Sequence, residues 1–280
     1  MEQRAKKTAE RSTGFVTSEG EEIYYEVSGM GEPVVFCHGA GGNHAIWYQQ
    51  VPAFVPRYRV ITWDQRGFGR STNNAGKAGP RVAVRDLAAL LDHLGVNRAH
   101  LVGQSMGGWV VLGFALASPE RVRSLVLADT LGGIRLPDPS EQTKRALERV
   151  GAALLDPNLP IGFEHPCLAP DFAQREPARA FLYTQVSSLA PPTPLSALLE
   201  LAEVSRTREE LERLTVPVLF LVGSQDPLFP VEDIERASRF VPGAKVVEIP
   251  GCGHSPYFED ADRWNQAVLE FLSAAVHDKL

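Results

Sequence analysis

A chain of 280 residues, 44% hydrophobic and 22% charged, has ample material for a buried core, which excludes a disordered or fibrous protein. The formal net charge of −6, with no basic run, argues against nucleic acid or anionic membranes as partners, and no apolar stretch approaches membrane-spanning length. Cys37, Cys167 and Cys252 are odd in number and lack metal-ligand spacing, which predicts free thiols, and the charged N-terminus lacks the apolar core of a signal peptide, so a cytoplasmic location is expected.

Residues up to about Ser12 read as disordered. Alternating apolar and polar residues on either side of Ser18-Glu19-Gly20 predict a β-hairpin. The wholly apolar run Val34-Val35-Phe36-Cys37 predicts a strand buried on both faces, and residues 58–63 predict another. From Arg81 a helix carries Val84, Leu87, Leu91 and Leu94 on one face and stops at Gly95. A short strand at 99–102 leads into a helix from Met106, with Trp109, Leu112, Gly113 and Leu116 at helical spacing. Further strands are expected at 125–128, 216–222 and 245–249, then a last amphipathic helix with Trp264, Val268, Phe271 and Leu272. Strands alternating with helices predict an α/β fold with a mostly parallel central sheet flanked by helices.

Residues 132–214 break this rhythm. They hold prolines 137, 139, 157, 160 and 166, the cluster Pro191-Pro192-Thr193-Pro194, and helical patterns at 141–155, 178–189 and 195–204. Thr207-Arg208-Glu209-Glu210 has the form of a capping box. The stretch reads as a helical lid inserted into a core made of residues 13–131 and 215–280.

The chemistry centres on Gly103-Gln104-Ser105-Met106-Gly107, a G-x-S-x-G pattern between a strand and a helix. So abrupt a turn strains the central residue and tolerates only small neighbours, and it exposes the Ser105 hydroxyl beside a helix N-terminus. A serine hydroxyl is a poor nucleophile and needs a base oriented by a carboxylate. The base is assigned to His254, in a glycine-flanked loop after the last strand. The carboxylate is assigned to Asp226, where Gly223-Ser224-Gln225-Asp226-Pro227 forms a tight turn; Asp129, also at a strand end, is the alternative. The backbone N–H groups of Met106 and Ala40, the latter in His38-Gly39-Ala40-Gly41-Gly42, are the expected oxyanion donors. His38 reads as a residue that fixes its loop, Arg66 and Arg70 as braces, and Trp47 and Trp109 as packing. Cys252, close to His254, suggests sensitivity to thiol reagents. No metal, phosphate-loop or dinucleotide signature is present, and no cofactor is expected.

His38-Gly39, Asp64-Gln65-Arg66-Gly67-Phe68-Gly69-Arg70-Ser71, the G-x-S-x-G pattern, Gly223-Ser224-Gln225-Asp226 and Gly253-His254 occur in the order seen in the α/β-hydrolase fold superfamily. The chain resembles that superfamily from roughly residue 21 to 272, most closely the 3-oxoadipate enol-lactonase-type hydrolases, and it also resembles esterases and C–C hydrolases of ring-fission products. It departs from the lactonases at Gln104 and at Asp129-Thr130, and serine at position 105 argues against epoxide hydrolase or dehalogenase chemistry. The expected activity is hydrolysis of a small-molecule carboxylic ester or lactone through an acyl-enzyme on Ser105. C–C bond hydrolysis, or ligand binding with little turnover, are the alternatives, and a homo-oligomer is compatible with the sequence.

Overall fold

The computed structural model describes residues 11–145, 148, 165, 167–189 and 191–277. Eight strands form one sheet in the order β1-β2-β4-β3-β5-β6-β7-β8. They are β1 (Arg11–Ser18), β2 (Glu21–Ser28), β3 (Glu32–Cys37), β4 (Tyr58–Trp63), β5 (Ala99–Gln104), β6 (Val122–Ala128), β7 (Val218–Gly223) and β8 (Lys245–Ile249). β1 pairs antiparallel with β2, and β2 with β4; every other pairing is parallel. The hairpin turns on Glu19 and Gly20, at φ 50° and 83°, the conformation a two-residue hairpin needs. β1 begins at Arg11, so Ser12, expected to lie in a disordered lead, pairs with Val27.

The apolar runs are strands because helices cover both faces. Val35, Cys37, Ile61, Leu125, Leu127 and Phe220 point into one core cluster. Their neighbours Val34, Phe36, Val60, Val126 and Leu219 point into the other, as the period of two requires. Each such side chain, once fully buried, contributes about 1.5–3 kcal/mol. Helices Pro80–His93 and Met106–Ala117 pack on the first face and Ala261–His277 on the second. Met106–Ala117 is buried nearly all round, which explains its lack of a polar face. Trp47 packs against Phe36, Tyr257 and Trp264, and Trp109 against Phe229, as packing residues should.

The buried face of Pro80–His93 is wider than the expected one, whose four residues all pack on the same core. It comprises Pro80, Ala83, Asp86, Leu87, Leu90 and Leu91, with Val84 and Leu94 half-buried against the same core. A charge enters this face because Arg66, also buried, reaches Asp86 with Nη2 at 2.6 Å and Nε at 3.1 Å, and donates to Ser18 O at 3.1 Å. Arg66 is thus a brace, tying the loop after β4 to a helix and to the hairpin. Removing one partner of a buried pair leaves the other charge uncompensated. Asp86→Ala is expected to cost about 3–5 kcal/mol in chemical denaturation; a loss below about 1 kcal/mol would rank the pair with exposed ones.

Between β6 and β7 the described residues are mainly helical: 141–145, Phe172–Arg175, Pro177–Ser188, Leu195–Glu203 and Arg208–Leu211. The only strand-like feature described there is a one-residue bridge between Ile134 and Arg206. The expected helix at 141–155 lies largely outside the described residues. The capping box is formed, with Thr207 Oγ1 accepting from Glu210 N–H and Glu210 Oε2 from Thr207 N–H. Among the described residues no helix is long and apolar enough to cross a membrane.

Candidate active site

Ser105 sits where β5 turns into helix Met106–Ala117, at φ 48° and ψ −121°, a region that costs a non-glycine residue about 1–3 kcal/mol. The surroundings enforce that backbone. Ser105 N–H donates to Ala128 O on β6 (2.9 Å), and Ser105 O accepts from Gly108 N–H and Thr130 Oγ1, both at 2.8 Å. A Cβ on Gly107 would collide with Cys37 O, and one on Gly103 with Gly107 and Val111, so only glycine allows helix and strand to approach this closely. The Ser105 side chain is left half-exposed among buried neighbours.

The loop after β3 lies against this turn: a Cβ on Gly39 would meet Ser105 Cβ at 3.0 Å. Gly39 O accepts from Gly42 N–H at 3.1 Å and lies 2.8 Å from His38 Nδ1. His38 Nε2 accepts from Gln65 N–H (3.0 Å), which places the ring proton on Nδ1 as the donor to Gly39, and burial pushes His38 toward its neutral form. His38 therefore fixes its loop. In a trans peptide the N–H points opposite to the carbonyl, so the donors on Gly39 O turn Ala40 N–H away from them. Among the described residues, the backbone bonds leave Ala40 N–H and Met106 N–H without an acceptor.

His254 and Asp226 are buried and joined, with Nδ1 2.9 Å from Asp226 Oδ2. Asp226 Oδ1 accepts from Leu228 N–H (2.8 Å) and Phe229 N–H (3.2 Å), which the turn at Pro227 presents. A carboxylate can only accept, so the imidazole proton belongs on Nδ1 and the basic lone pair on Nε2. Nε2 is buried and has no hydrogen-bond partner among the described residues. No hydrogen bond joins it to Ser105 Oγ; such contacts commonly tighten only with substrate in place. Gln104 Nε2 donates to His254 O at 2.9 Å and ties the histidine loop to the residue before Ser105.

Asp129 directly follows β6, with its backbone at φ 50° and its side chain fully buried. Its Oδ1 accepts from Gly223 N–H (2.9 Å), while Oδ2 has no partner among the described residues. Burial, and then the neighbouring Asp226, push this carboxyl well above the ordinary range, which favours the neutral acid. Of the two aspartates, Asp226 is the one bonded to the imidazole.

The sequence held weaker signals for other residues here. Gln104 stood out only as a departure from the lactonase pattern. Glu259 accepts three backbone N–H groups around His254 and follows Ser255 at nearly capping-box spacing. His165 stacks edge-on against Tyr183, with ring centroids 4.7 Å apart, and burial with nearby His254 pushes it down to about 4. Cys252 is buried and its thiol is pushed up to about 12, so the expected sensitivity to thiol reagents has no support. Arg70 is exposed and lies over the Tyr24 ring at 4.4 Å. Among the described residues no three His, Cys, Asp or Glu side chains converge as metal ligands would. A cavity of about 430 Å³ opens at the opposite end of the sheet, beside Val216, Lys245 and Phe271; among the described residues Lys245 is the one charged side chain that lines it.

A family model described as alpha/beta hydrolase family matches residues 34–267. A protein of Azorhizobium caulinodans named for carbamate hydrolysis, RutD, is 30% identical over 255 residues, 89% of this chain and 94% of its own. Among solved structures, a thermophilic esterase from Thermogutta terrifontis is similar at TM-score 0.79 and 33% identity, covering 95% of this chain and 99% of its own. A bromoperoxidase from Bacillus anthracis is similar at TM-score 0.79 and 27% identity, covering 94% and 100%. The family match spans most of the chain and the sheet carries the same architecture: this chain belongs to the alpha/beta hydrolase family.

Proposed function

We propose that this hydrolase cleaves a carboxylic ester or lactone through an acyl-enzyme on Ser105. The observation that carries the reading is the buried His254 ring, held by Asp226 through Nδ1, its Nε2 without a partner among the described residues, in a loop tied to the strained Ser105 turn. Ser105 Oγ attacks the carbonyl carbon while His254 Nε2 takes its proton. Asp226 stabilises the imidazolium, and the N–H groups of Ala40 and Met106 receive the oxyanion. Collapse breaks the carbonyl–oxygen bond, and the alcohol leaves with the proton from His254. Water then attacks the acyl-enzyme with His254 again as base, and the acid departs. The same steps would cleave a carbamate, the bond for which one relative is named. A turnover screen of aryl esters, lactones, carbamates and ring-fission diketones should give ester or lactone hydrolysis with the highest kcat/KM. Bromide oxidation by peroxide with no acyl substrate turned over would overturn the reading.

Residues 132–214 act in this account as the lid between the core segments 13–131 and 215–280. Support comes from anchors on the loops of the proposed site: Gln142 Nε2 to Asp226 O (2.9 Å), Tyr183 Oη to Ser255 Oγ (2.8 Å) and Asn43 Nδ2 to Val186 O (3.2 Å). A lid anchored there shapes the acyl pocket and excludes water without supplying the nucleophile or base. Exchanging it for a relative's lid, with Gln142, Ala169 and Tyr183 retained, should reorder the ranking of substrates by kcat/KM. An unaltered ranking in a folded chimera would remove the lid from substrate choice.

A further inference from the structure

Four backbone groups around His254 and on the facing segment are held by the side chains of Glu259 and Gln104. Glu259 Oε1 accepts from Gly253 N–H (2.9 Å) and Ser255 N–H (3.3 Å), and Oε2 accepts from Ala169 N–H (2.8 Å). The His254 carbonyl, in the same peptide unit as Ser255 N–H, accepts from Gln104 Nε2 at 2.9 Å. That peptide is therefore gripped at both ends, from opposite sides. The two segments meet backbone to backbone, since a Cβ on Gly253 would collide with Leu168 and Ala169.

We propose that Glu259 is a positioning residue for His254, its one buried carboxylate clamping the histidine loop to residues 168–169. The inference rests on the function proposed above. The chemical demand is specific: donors arrive on both oxygens, so the group must accept at both. A carboxylate does so, whereas a carboxamide accepts at one end and donates at the other. Glu259 is 6% exposed and has no ion-pair partner among the described residues. Burial pushes its carboxyl up against the pull of the three N–H groups, so the backbone donors are what hold the charge inside. Asp226 fixes the turn of the imidazole ring about its own bonds; Glu259 and Gln104 fix the backbone from which the ring hangs. A displacement of about 1 Å at a reacting group can cost about 10²-fold in rate.

The test uses the whole chain with Glu259→Gln and Glu259→Asp, and rates are expressed per Ser105 labelled by a fluorophosphonate, so that unfolded molecules do not enter them. The carboxamide opposes its N–H₂ to one set of backbone donors, and the shorter carboxylate cannot reach both sets. Each variant should lose about 10- to 100-fold in kcat on an aryl ester, with KM changed less than about threefold. Unchanged kcat per labelled Ser105 in both variants, with only a lower Tm, would make Glu259 a purely structural residue and overturn the proposal. A wild type that does not label at Ser105 would instead remove the function on which the proposal rests.

Discussion

Asp226→Asn should lower kcat by about 10⁴-fold in a protein that still folds. Leu228 N–H and Phe229 N–H both donate to Oδ1 of this residue, so an asparagine must keep its carbonyl oxygen on that side. The amide N–H₂ then faces His254 Nδ1, which has to accept, and the ring proton moves to Nε2. In that tautomer the imidazole cannot take the proton of Ser105. Asp129→Asn is a different exchange. Its carboxyl is already pushed toward the neutral acid, and the carbonyl oxygen of asparagine can accept from Gly223 N–H as Oδ1 does now. The expected loss is about tenfold or less. The two effects, about 5 kcal/mol against about 1 kcal/mol, are far enough apart to be separated by steady-state rates, provided thermal melts show both variants folded. Asp129→Asn as the crippling change, with Asp226→Asn nearly active, would transfer the orienting role to the earlier strand.

Much of this arrangement was legible because it is local. Apolar runs at 34–37 and 58–63 are strands since nothing else buries such runs on both faces, and the glycines around Ser105 mark a strand–helix turn that only small residues permit. Ser105, Ala40 and Met106 could be placed from the ends of their elements alone. Asp226 and Asp129 were harder, because both follow neighbouring parallel strands and strand position does not tell them apart. What separates them is the turn at Pro227, which aims the Asp226 side chain at His254 and supplies N–H groups for its other oxygen. The contact of Glu259 with Ala169, that of Gln104 with His254 and the partner of Arg66 escaped because they span 90, 150 and 20 residues of chain and leave no periodic trace. The place of Asp86 on the buried face of helix Pro80–His93 escaped for the same reason: it looks like a solvent-facing residue until Arg66 is seen beside it.

The second large effect concerns the nucleophile. With Ser105→Ala the site keeps the Ala40 and Met106 N–H groups and the His254–Asp226 pair but has no oxygen to form an acyl-enzyme. The loss in kcat should be of order 10⁶-fold, as when the nucleophile of a serine protease is removed, with residual catalysis of about 10³–10⁴ over water from the remaining groups. The fold should persist, because alanine removes only a half-exposed hydroxyl that makes no hydrogen bond to a described residue. Part of the backbone strain at φ 48° stays, since alanine suffers there as serine does.

The most direct test of Ser105 as an activated nucleophile is mass spectrometry of the protein after reaction with a fluorophosphonate, followed by peptide mapping. One adduct per chain, on the peptide carrying Ser105, lost in Ser105→Ala and much slowed in His254→Ala, is the predicted result. An adduct that survives Ser105→Ala, or no adduct on folded wild-type protein that turns over esters, would contradict the account.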